Sequence, residues 1–186
     1  MSLHILFEQL RDIRSDVRIP LILMGYLNPI MKFGFEAFCQ KCVECGIDGV
    51  IIPDLPFKDY EETYKPIADR YDIRVIMLIT PETSEARVRE IDEHTDGFIY
   101  MVSSAATTGA QKDFDSQKQA YFKKIQDMHL RNPRMVGFGI SNKQTFDAAC
   151  ANSSGAIIGS RFVTLLNEAE GDAEKAITQL KEGLKK

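Results

Sequence analysis

The chain has 186 residues, of which 44% are hydrophobic, and a formal net charge of −4 at neutral pH. A chain of this length can bury a core of its own, and its length allows one domain or two. The negative charge argues against nucleic acid or an acidic membrane as a partner, because binding to either depends on Lys and Arg. The sequence shows no segment typical of a membrane span or a signal peptide, so the expected location is the cytoplasm, where its four cysteines stay reduced.

Segments of strand length alternate with segments of helix length along the chain. After a leader, MSL, residues 4–186 are predicted to form a single domain that begins with a helix at LFEQLRDIR. Six strands are predicted at IPLILMG, GVIIPD, RVIMLI, GFIYMV, RMVGFG and AIIGS. Helices are predicted between them at FEAFCQKCVEC, YEETYKPIADRY, SEARVREIDEH, SQKQAYFKKIQDMH and NKQTFDAACA, and from Arg161 to the end. The pattern indicates one helix followed by six βα units.

The predicted strands are apolar on both faces, which is typical of a parallel sheet covered by helices on both sides. Two α/β architectures fit this pattern, an open doubly wound sheet and a closed (βα)₈ barrel. The first strand lacks a G-x-G-x-x-G turn, and glycines instead follow the last two strands. Phosphate sites after the last two strands are typical of barrels, which need about 250 residues. The favoured interpretation is an incomplete barrel of about six βα units.

Three glycines, Gly137, Gly139 and Gly159, stand where the last two predicted strands end. A phosphate held by backbone N–H groups must approach the chain to about 3 Å, and a Cβ at the contact would obstruct it. Helices beginning near Asn142 and Ser160 would add the positive ends of their dipoles and free N–H groups. The pattern predicts a phosphate site, and the alternative is that these glycines only permit tight strand-to-helix turns or close packing.

A long polar stretch, MVSSAATTGAQKDFDS, follows the fourth predicted strand and contains Gly109. A loop longer than its neighbours is often a lid or a binding element, and the alternative is a plain connection. Tyr100 precedes this loop and either points its phenol into the mouth of the barrel or belongs to the core.

The segment CQKCVEC has the C-x₂-C-x₂-C spacing of some iron–sulfur sites. If the segment is helical, Cys39 and Cys45 stand about 9 Å apart along the axis, at 1.5 Å of rise per residue. A single cluster would then be hard to reach, so we interpret these residues as buried thiols and expect no metal.

Four ordered stretches, PLILMGYLNPI, GIDGVIIPDLPFKDYEE, GFIYMVSSAATTGAQ and VGFGISNKQTF with GAIIGSRFV, closely resemble the tryptophan synthase alpha chain family. The resemblance covers essentially everything after the leader. It implies a (βα)₈ TIM barrel, of which this chain resembles strands 3 to 8.

The resemblance also implies a lyase of tryptophan biosynthesis. Members of the family cleave indole-3-glycerol phosphate to indole and glyceraldehyde 3-phosphate by a retro-aldol reaction. They pass the indole to a beta chain in an α₂β₂ complex, and the cofactor PLP belongs to the beta chain, so no cofactor is expected here. The alternatives are another phosphate-binding barrel, of the indoleglycerol phosphate synthase or phosphosugar epimerase type, and a non-catalytic module that binds phosphate or the beta chain.

Site residues follow from the same resemblance by position. Those matching the phosphate site are Gly109, Gly139, Gly159 and Ser160. Those matching the substrate pocket are Met24, Tyr26, Leu78, Tyr100, the lid residue Thr108, and Phe138. Those matching the surface for the beta chain are Asn28, Pro29, Asp54 and Pro56.

The retro-aldol reaction needs an acid that protonates indole C3 and a base for the neighbouring hydroxyl. In the family these groups are a glutamate and an aspartate that fall upstream of the first residue here, so no catalytic residue is expected and the chain alone is predicted to be inactive. Asp54, at a strand end, is the alternative catalytic carboxylate. Unpaired edges of the first and last strands also predict that the chain self-associates.

Overall fold

The computed structural model describes residues 2–103 and 116–185. The chain divides into two compact units. The first unit comprises Met1–Met77 and Glu90–Gly97, and the second comprises Leu78–Arg89 and Phe98–Lys186. The prediction of a single domain over residues 4–186 stays a prediction.

The first unit contains a parallel sheet of three strands in the order β1-β2-β3. Its strands are β1 Ile22–Met24, β2 Gly49–Ile51 and β3 Arg74–Ile76. Its helices are α1 Leu3–Leu10, a 3₁₀ turn Ile13–Ser15, α2 Leu27–Phe33, α3 Phe35–Glu44, α4 Phe57–Asp59, a π-helix Tyr60–Tyr64 and α5 Lys65–Arg70. Every residue of β2 is buried, as expected for the central strand of a parallel sheet.

The second unit contains a parallel sheet of four strands in the order β4-β5-β6-β7. Its strands are β4 Leu78–Ile79, β5 Ile99–Val102, β6 Arg134–Gly137 and β7 Gly155–Ile157. Its helices are α7 Ser116–Asp127, α8 Lys143–Cys150, α9 Ser160–Glu168 and α10 Ala173–Gly183, and helix α6 Glu85–His94 has residues in both units. Ile79, Met101 and Val136 of this sheet are fully buried and lie in the hydrophobic core.

Two strands stand where the sequence predicts one at RVIMLI. The pairing is interrupted at Met77, so that β3 pairs with β2, and β4 pairs with β5. The described residues therefore contain seven short strands, against six predicted. A continuous apolar run cannot show this interruption, because residues on both sides of it are equally suited to a buried strand.

Helix boundaries differ from prediction in three places. The sequence predicts a loop over YLNPIMKF, and the structure forms α2 there. The helix predicted at YEETYKPIADRY contains the π-helix Tyr60–Tyr64, because Pro66 has no N–H to donate to the preceding turn. The final helix is divided into α9 and α10 at Glu170 and Gly171, which both have positive φ. Asp172 then caps α10 by accepting a hydrogen bond from the Lys175 N–H at 3.0 Å.

At the amino terminus, two of the residues interpreted as a leader take part in α1. Ser2 is its N-cap and Leu3 its first residue. None of the helices in residues 2–103 and 116–185 is long and apolar enough to span a membrane.

Candidate functional site

The carboxyl ends of β5, β6 and β7 lie side by side in the second unit. Register pairs Val102 with Gly137, and Gly137 with Ile157. Because the strands are parallel, the residues that follow them leave the same edge of the sheet, with neighbouring strands about 4.8 Å apart. Gly139 and Gly159, which the sequence predicts as phosphate-binding residues, therefore follow adjacent strands at one edge.

Tyr100 lies across Gly137 on the neighbouring strand. A Cβ built on Gly137 would stand 2.0 Å from the Tyr100 hydroxyl oxygen and 2.3 Å from the ring carbon Cζ. The Tyr100 ring also packs against Phe138, with ring centroids 5.7 Å apart. Packing within the chain therefore requires glycine at position 137. For this one of the three glycines, the structure favours the alternative of close packing over a role in phosphate binding.

The Tyr100 side chain is almost completely buried, and this burial raises its pKa to about 12. The phenol therefore keeps its proton at neutral pH and acts as a hydrogen-bond donor rather than a base. Its cross-strand partner in the register is Leu78, a half-buried residue. These two predicted pocket residues are neighbours on one face of the sheet.

Phe138 and Gly139 form the turn after β6, and both have left-handed backbones with φ of 66° and 80°. A positive φ is disfavoured for a residue with a side chain, so Phe138 needs support from its surroundings. That support comes from Ser103, whose Oγ donates to the Phe138 carbonyl at 2.7 Å. The Ser103 N–H also donates to the Gly137 carbonyl at 3.2 Å.

Helix α8, which follows this turn, is closed by its own residues. Asn142 is the N-cap, and its Oδ1 accepts the Thr145 N–H at 2.9 Å. The Thr145 Oγ1 in return accepts the backbone N–H groups of Ser141 and Asn142, at 3.1 and 3.3 Å. The expectation of free N–H groups at this helix start is wrong for these three groups, because a capping box already uses them.

Helix α9 begins differently. Its N-cap is Gly159, which has no side chain, and within the described residues no side chain caps this helix. A Cβ built on Gly159 would meet no atom of residues 2–103 and 116–185 within 4 Å. The φ of Gly159 is −111°, which other residues also adopt. Neither packing nor backbone conformation requires glycine at this position, and Ser160, the first helical residue, is exposed beside it.

The residues predicted to face a beta chain lie on two segments of the first unit. Asp54 follows β2, and its Oδ1 accepts the Leu27 N–H, the first of α2, at 2.8 Å. Asn28 and Pro29 occupy the next two positions of that helix and are exposed. The bond from Asp54 therefore joins both segments into one exposed surface, to which Pro56 adds a further exposed residue.

Met24 and Tyr26 are largely exposed, by 53% and 67%. Both line a groove of about 480 Å³ in the first unit, together with residues of α1 and α2. Two other predicted residues, Thr108 and Gly109, lie outside the residues that the structure describes. Their roles stay predictions.

The three cysteines of the C-x₂-C-x₂-C segment are buried, and α3 contains the first two of them. Burial raises the pKa of the Cys39 thiol to about 12 and also raises that of Cys42. Among residues 2–103 and 116–185, no group of three potential ligands is placed to hold a metal ion. The Cys45 Sγ also donates to the Phe7 carbonyl at 3.5 Å.

Two functional candidates were missed by reading the sequence. Ser103 was seen only as part of a polar loop, although a serine directly after a buried strand and beside a Gly-Phe-Gly turn is a usable signal. Asn142, with Thr145 three residues later, is a recognisable capping pair, and we read it only as the start of a helix.

Comparison with known proteins identifies the family and the fold. The family model described as tryptophan synthase alpha chain matches residues 1–186. The chain is 80% identical over 181 residues to the tryptophan synthase alpha chain of Bacteroides fragilis. The matched residues make up 97% of this chain and 68% of that protein. The chain also resembles the solved tryptophan synthase alpha subunit of the hyperthermophile Pyrococcus furiosus, with a TM-score of 0.85, 27% identity, and coverage of 99% of this chain and 74% of that chain. The tryptophan synthase complex of the same organism matches with a TM-score of 0.85, 26% identity, and coverage of 99% and 73%.

The parallel strands, the intervening helices and these neighbours define an α/β protein of the (βα)₈-barrel class. The chain belongs to the tryptophan synthase alpha chain family, a family of lyases in tryptophan biosynthesis. This result does not support the alternative barrels of the indoleglycerol phosphate synthase or phosphosugar epimerase type.

Proposed function

We propose that the edge formed by β6, β7 and the start of α9 binds the phosphate of indole-3-glycerol phosphate and of glyceraldehyde 3-phosphate. One observation carries the proposal: within the described residues, Gly159 begins a helix without a capping side chain and borders open space. A helix start with free N–H groups attracts anions, and the missing Cβ lets an anion approach the backbone. Gly139, Ser160 and, by resemblance, Gly109 complete the site.

The proposed reaction is the retro-aldol cleavage of indole-3-glycerol phosphate to indole and glyceraldehyde 3-phosphate. Leu78 and Tyr100 supply part of the apolar wall for the indole ring, and the protonated phenol offers a donor at its edge. Met24, Tyr26, Thr108 and Phe138 are proposed as further pocket residues. Asp54 is assigned no proton transfer, because its carboxylate caps α2 on an exposed surface.

The binding step is tested with glycerol 3-phosphate by titration calorimetry on the chain and on a Gly159→Ala variant. The proposal predicts binding to the chain and at least tenfold weaker binding to the variant, since a Cβ would occupy the space for the anion. Gly183→Ala is a matched control, because a Cβ at Gly183 also meets no atom of the described residues within 4 Å. Equal affinity of chain and variant would contradict the site.

The reaction is tested by measuring indole released from indole-3-glycerol phosphate by chromatography. The chain alone is predicted to bind glycerol 3-phosphate and to release no indole, because no residue is assigned as the acid or the base that the retro-aldol reaction needs. Indole release by the chain alone would contradict this prediction and make Asp54 the first candidate for a catalytic carboxylate.

The proposed partner is a tryptophan synthase beta chain, which binds the surface of Asn28, Pro29, Asp54 and Pro56. The bond from Asp54 to the Leu27 N–H supports this, because it fixes both segments relative to each other. PLP belongs to the beta chain, so the alpha chain needs no cofactor of its own. An Asn28→Asp variant should lower the amount of beta chain retained in a pull-down, whereas an Asp59→Asn variant at an exposed position outside this surface should not.

Self-association is proposed on a separate observation. Within the described residues, β1 pairs only with β2, and β7 pairs only with β6. Each of these strands has an edge with N–H and C=O groups that can pair with another copy. Light scattering at tens of micromolar should show species larger than a monomer, and a clean monomer would contradict this proposal.

A further inference from the structure

Ser103 is a buried polar residue between the end of β5 and the turn after β6. Only 1% of its surface is exposed. Its Oγ donates to the Phe138 carbonyl at 2.7 Å, and its N–H donates to the Gly137 carbonyl at 3.2 Å. Ser103 thus holds two successive carbonyl groups of the turn that contains Gly139.

The first of these bonds fixes the direction of an N–H group. The Phe138 carbonyl and the Gly139 N–H belong to the same peptide unit, and in a planar trans peptide they point in opposite directions. Strand order places β5 on one side of β6 and β7 on the other. Because Ser103 draws the carbonyl toward β5, the Gly139 N–H is directed toward the side of β7, where Gly159 begins α9.

The same bond stabilises an unfavourable backbone. Phe138 has a φ of 66°, which is uncommon for a residue with a side chain. Without a partner for its carbonyl, this peptide unit would gain by rotating to a more usual conformation. Rotation would carry the Gly139 N–H away from the β7 side.

We propose that Ser103 is a positioning residue for the phosphate site, which aims the Gly139 N–H at the anion by holding the Phe138 carbonyl. This inference rests on the proposed function and adds to it a residue that contacts no ligand. Ser103 acts through the peptide unit that it orients.

The test compares two substitutions at Ser103 with a matched serine elsewhere in the same unit. Ser103→Ala removes the donor, and Ser103→Cys keeps a similar size with a much weaker donor. Ser153 is the control, because its Oγ lies within hydrogen-bond distance of the carbonyls of Ala149 and Gly155, at 2.8 and 2.9 Å, at the start of β7, and can donate to either. Ser153→Ala therefore removes comparable bonds at the opposite edge of the sheet.

Affinity for glycerol 3-phosphate is measured by calorimetry, and the Gly139 amide is followed by ¹H–¹⁵N spectra. Ser103→Ala and Ser103→Cys should bind about fivefold to tenfold more weakly, as expected when one donor to a charged group is misdirected. The phosphate-induced shift of the Gly139 amide should shrink in both variants. Ser153→Ala should bind within about twofold of the parent chain.

The outcomes distinguish the positioning role of Ser103 from the proposed phosphate site. Binding by the parent chain and equal binding by a folded Ser103 variant would overturn the positioning role and leave the phosphate site standing. Absence of binding by the parent chain would overturn the proposed function, and the positioning role with it. If Ser103→Ala does not fold, the comparison of Ser103→Cys with Ser153→Ala gives the same decision.

Discussion

Helices α8 and α9 begin at the same edge of one sheet, and their first turns are built in opposite ways. Asn142 and Thr145 close the start of α8 by reciprocal hydrogen bonds. Helix α9 starts at Gly159, where among the described residues no side chain takes that role. Two strand-to-helix turns that look alike in sequence therefore differ in whether side chains already accept hydrogen bonds from backbone N–H groups at the helix start.

The glycines of this edge differ in the same sense. Gly137 is enforced from inside, because the Tyr100 phenol occupies the place of its Cβ. At Gly159, by contrast, no atom in the part of the chain that the structure describes lies within 4 Å of a built Cβ. Packing against Tyr100 therefore accounts for the glycine at position 137. It does not account for Gly159, where the proposed reason for glycine is a bound ligand.

Gly137→Ala gives the largest expected effect, on stability. The new Cβ would stand 2.0 Å from the Tyr100 hydroxyl, and forcing a group into a packed site costs about 2 to 3 kcal/mol. Urea denaturation should show this loss in the free energy of unfolding. Gly183→Ala, where a Cβ meets no atom within 4 Å, is the control and should lose far less. An unchanged free energy for Gly137→Ala would refute the packing role.

Gly159→Ala should lower the affinity for phosphate and leave the stability nearly unchanged. Its free energy of unfolding should change by less than about 0.5 kcal/mol, since the new methyl group meets no neighbour. Affinity for glycerol 3-phosphate should fall at least tenfold, or about 1.4 kcal/mol. Calorimetry and urea denaturation on one preparation measure both quantities. A large loss in the free energy of unfolding of Gly159→Ala, with unchanged affinity for glycerol 3-phosphate, would contradict the contrast drawn between Gly137 and Gly159.

Asn142→Ala should weaken α8 without affecting the phosphate. Loss of an N-cap costs about 1 kcal/mol, and Asn142→Ser, which keeps an acceptor, should recover most of it. Affinity for glycerol 3-phosphate should stay within about twofold in both variants, because the capping box already uses these N–H groups. A tenfold loss of affinity in Asn142→Ala would mean that the start of α8 also serves the anion.

Asp54→Ala should give the smallest effect of these variants. It tests the start of α2, which can be compared with the starts of α8 and α9. Here the cap comes from a distant segment, since Asp54 accepts the Leu27 N–H across 27 positions of sequence. Because the bond is exposed, its loss should cost roughly 0.5 kcal/mol, at the lower end for helix caps. Thermal unfolding of Asp54→Ala against Asp54→Asn, which keeps an oxygen acceptor, measures the difference. Equal stability of both variants would show that the cap contributes nothing.

Much of this arrangement is predictable from sequence because it depends on local pattern. Each apolar run contains strand residues of the structure, although one run covers both β3 and β4, and the helices from FEAFCQKCVEC to NKQTFDAACA are found within a few residues of their ends. Capping and periodicity act over three or four residues, so a short stretch of chain contains the full signal.

Features that depend on distant residues escaped prediction. Helix α2 has no capping side chain at Tyr26, and its cap is Asp54. The left-handed Phe138 is supported by Ser103, which lies 35 positions away. The reason for Gly137 becomes visible only when β5 and β6 pair and place Tyr100 beside it. In each case the partner is fixed by the fold and not by neighbouring sequence.

The most direct test of the contrast between the two helix starts is a titration of the ¹⁵N-labelled chain with glycerol 3-phosphate. This account predicts saturable shifts of the Gly139 and Ser160 amides, with the Thr145 amide unchanged. Shifts confined to the α8 start, or no saturable shift at Gly139 and Ser160, would contradict it.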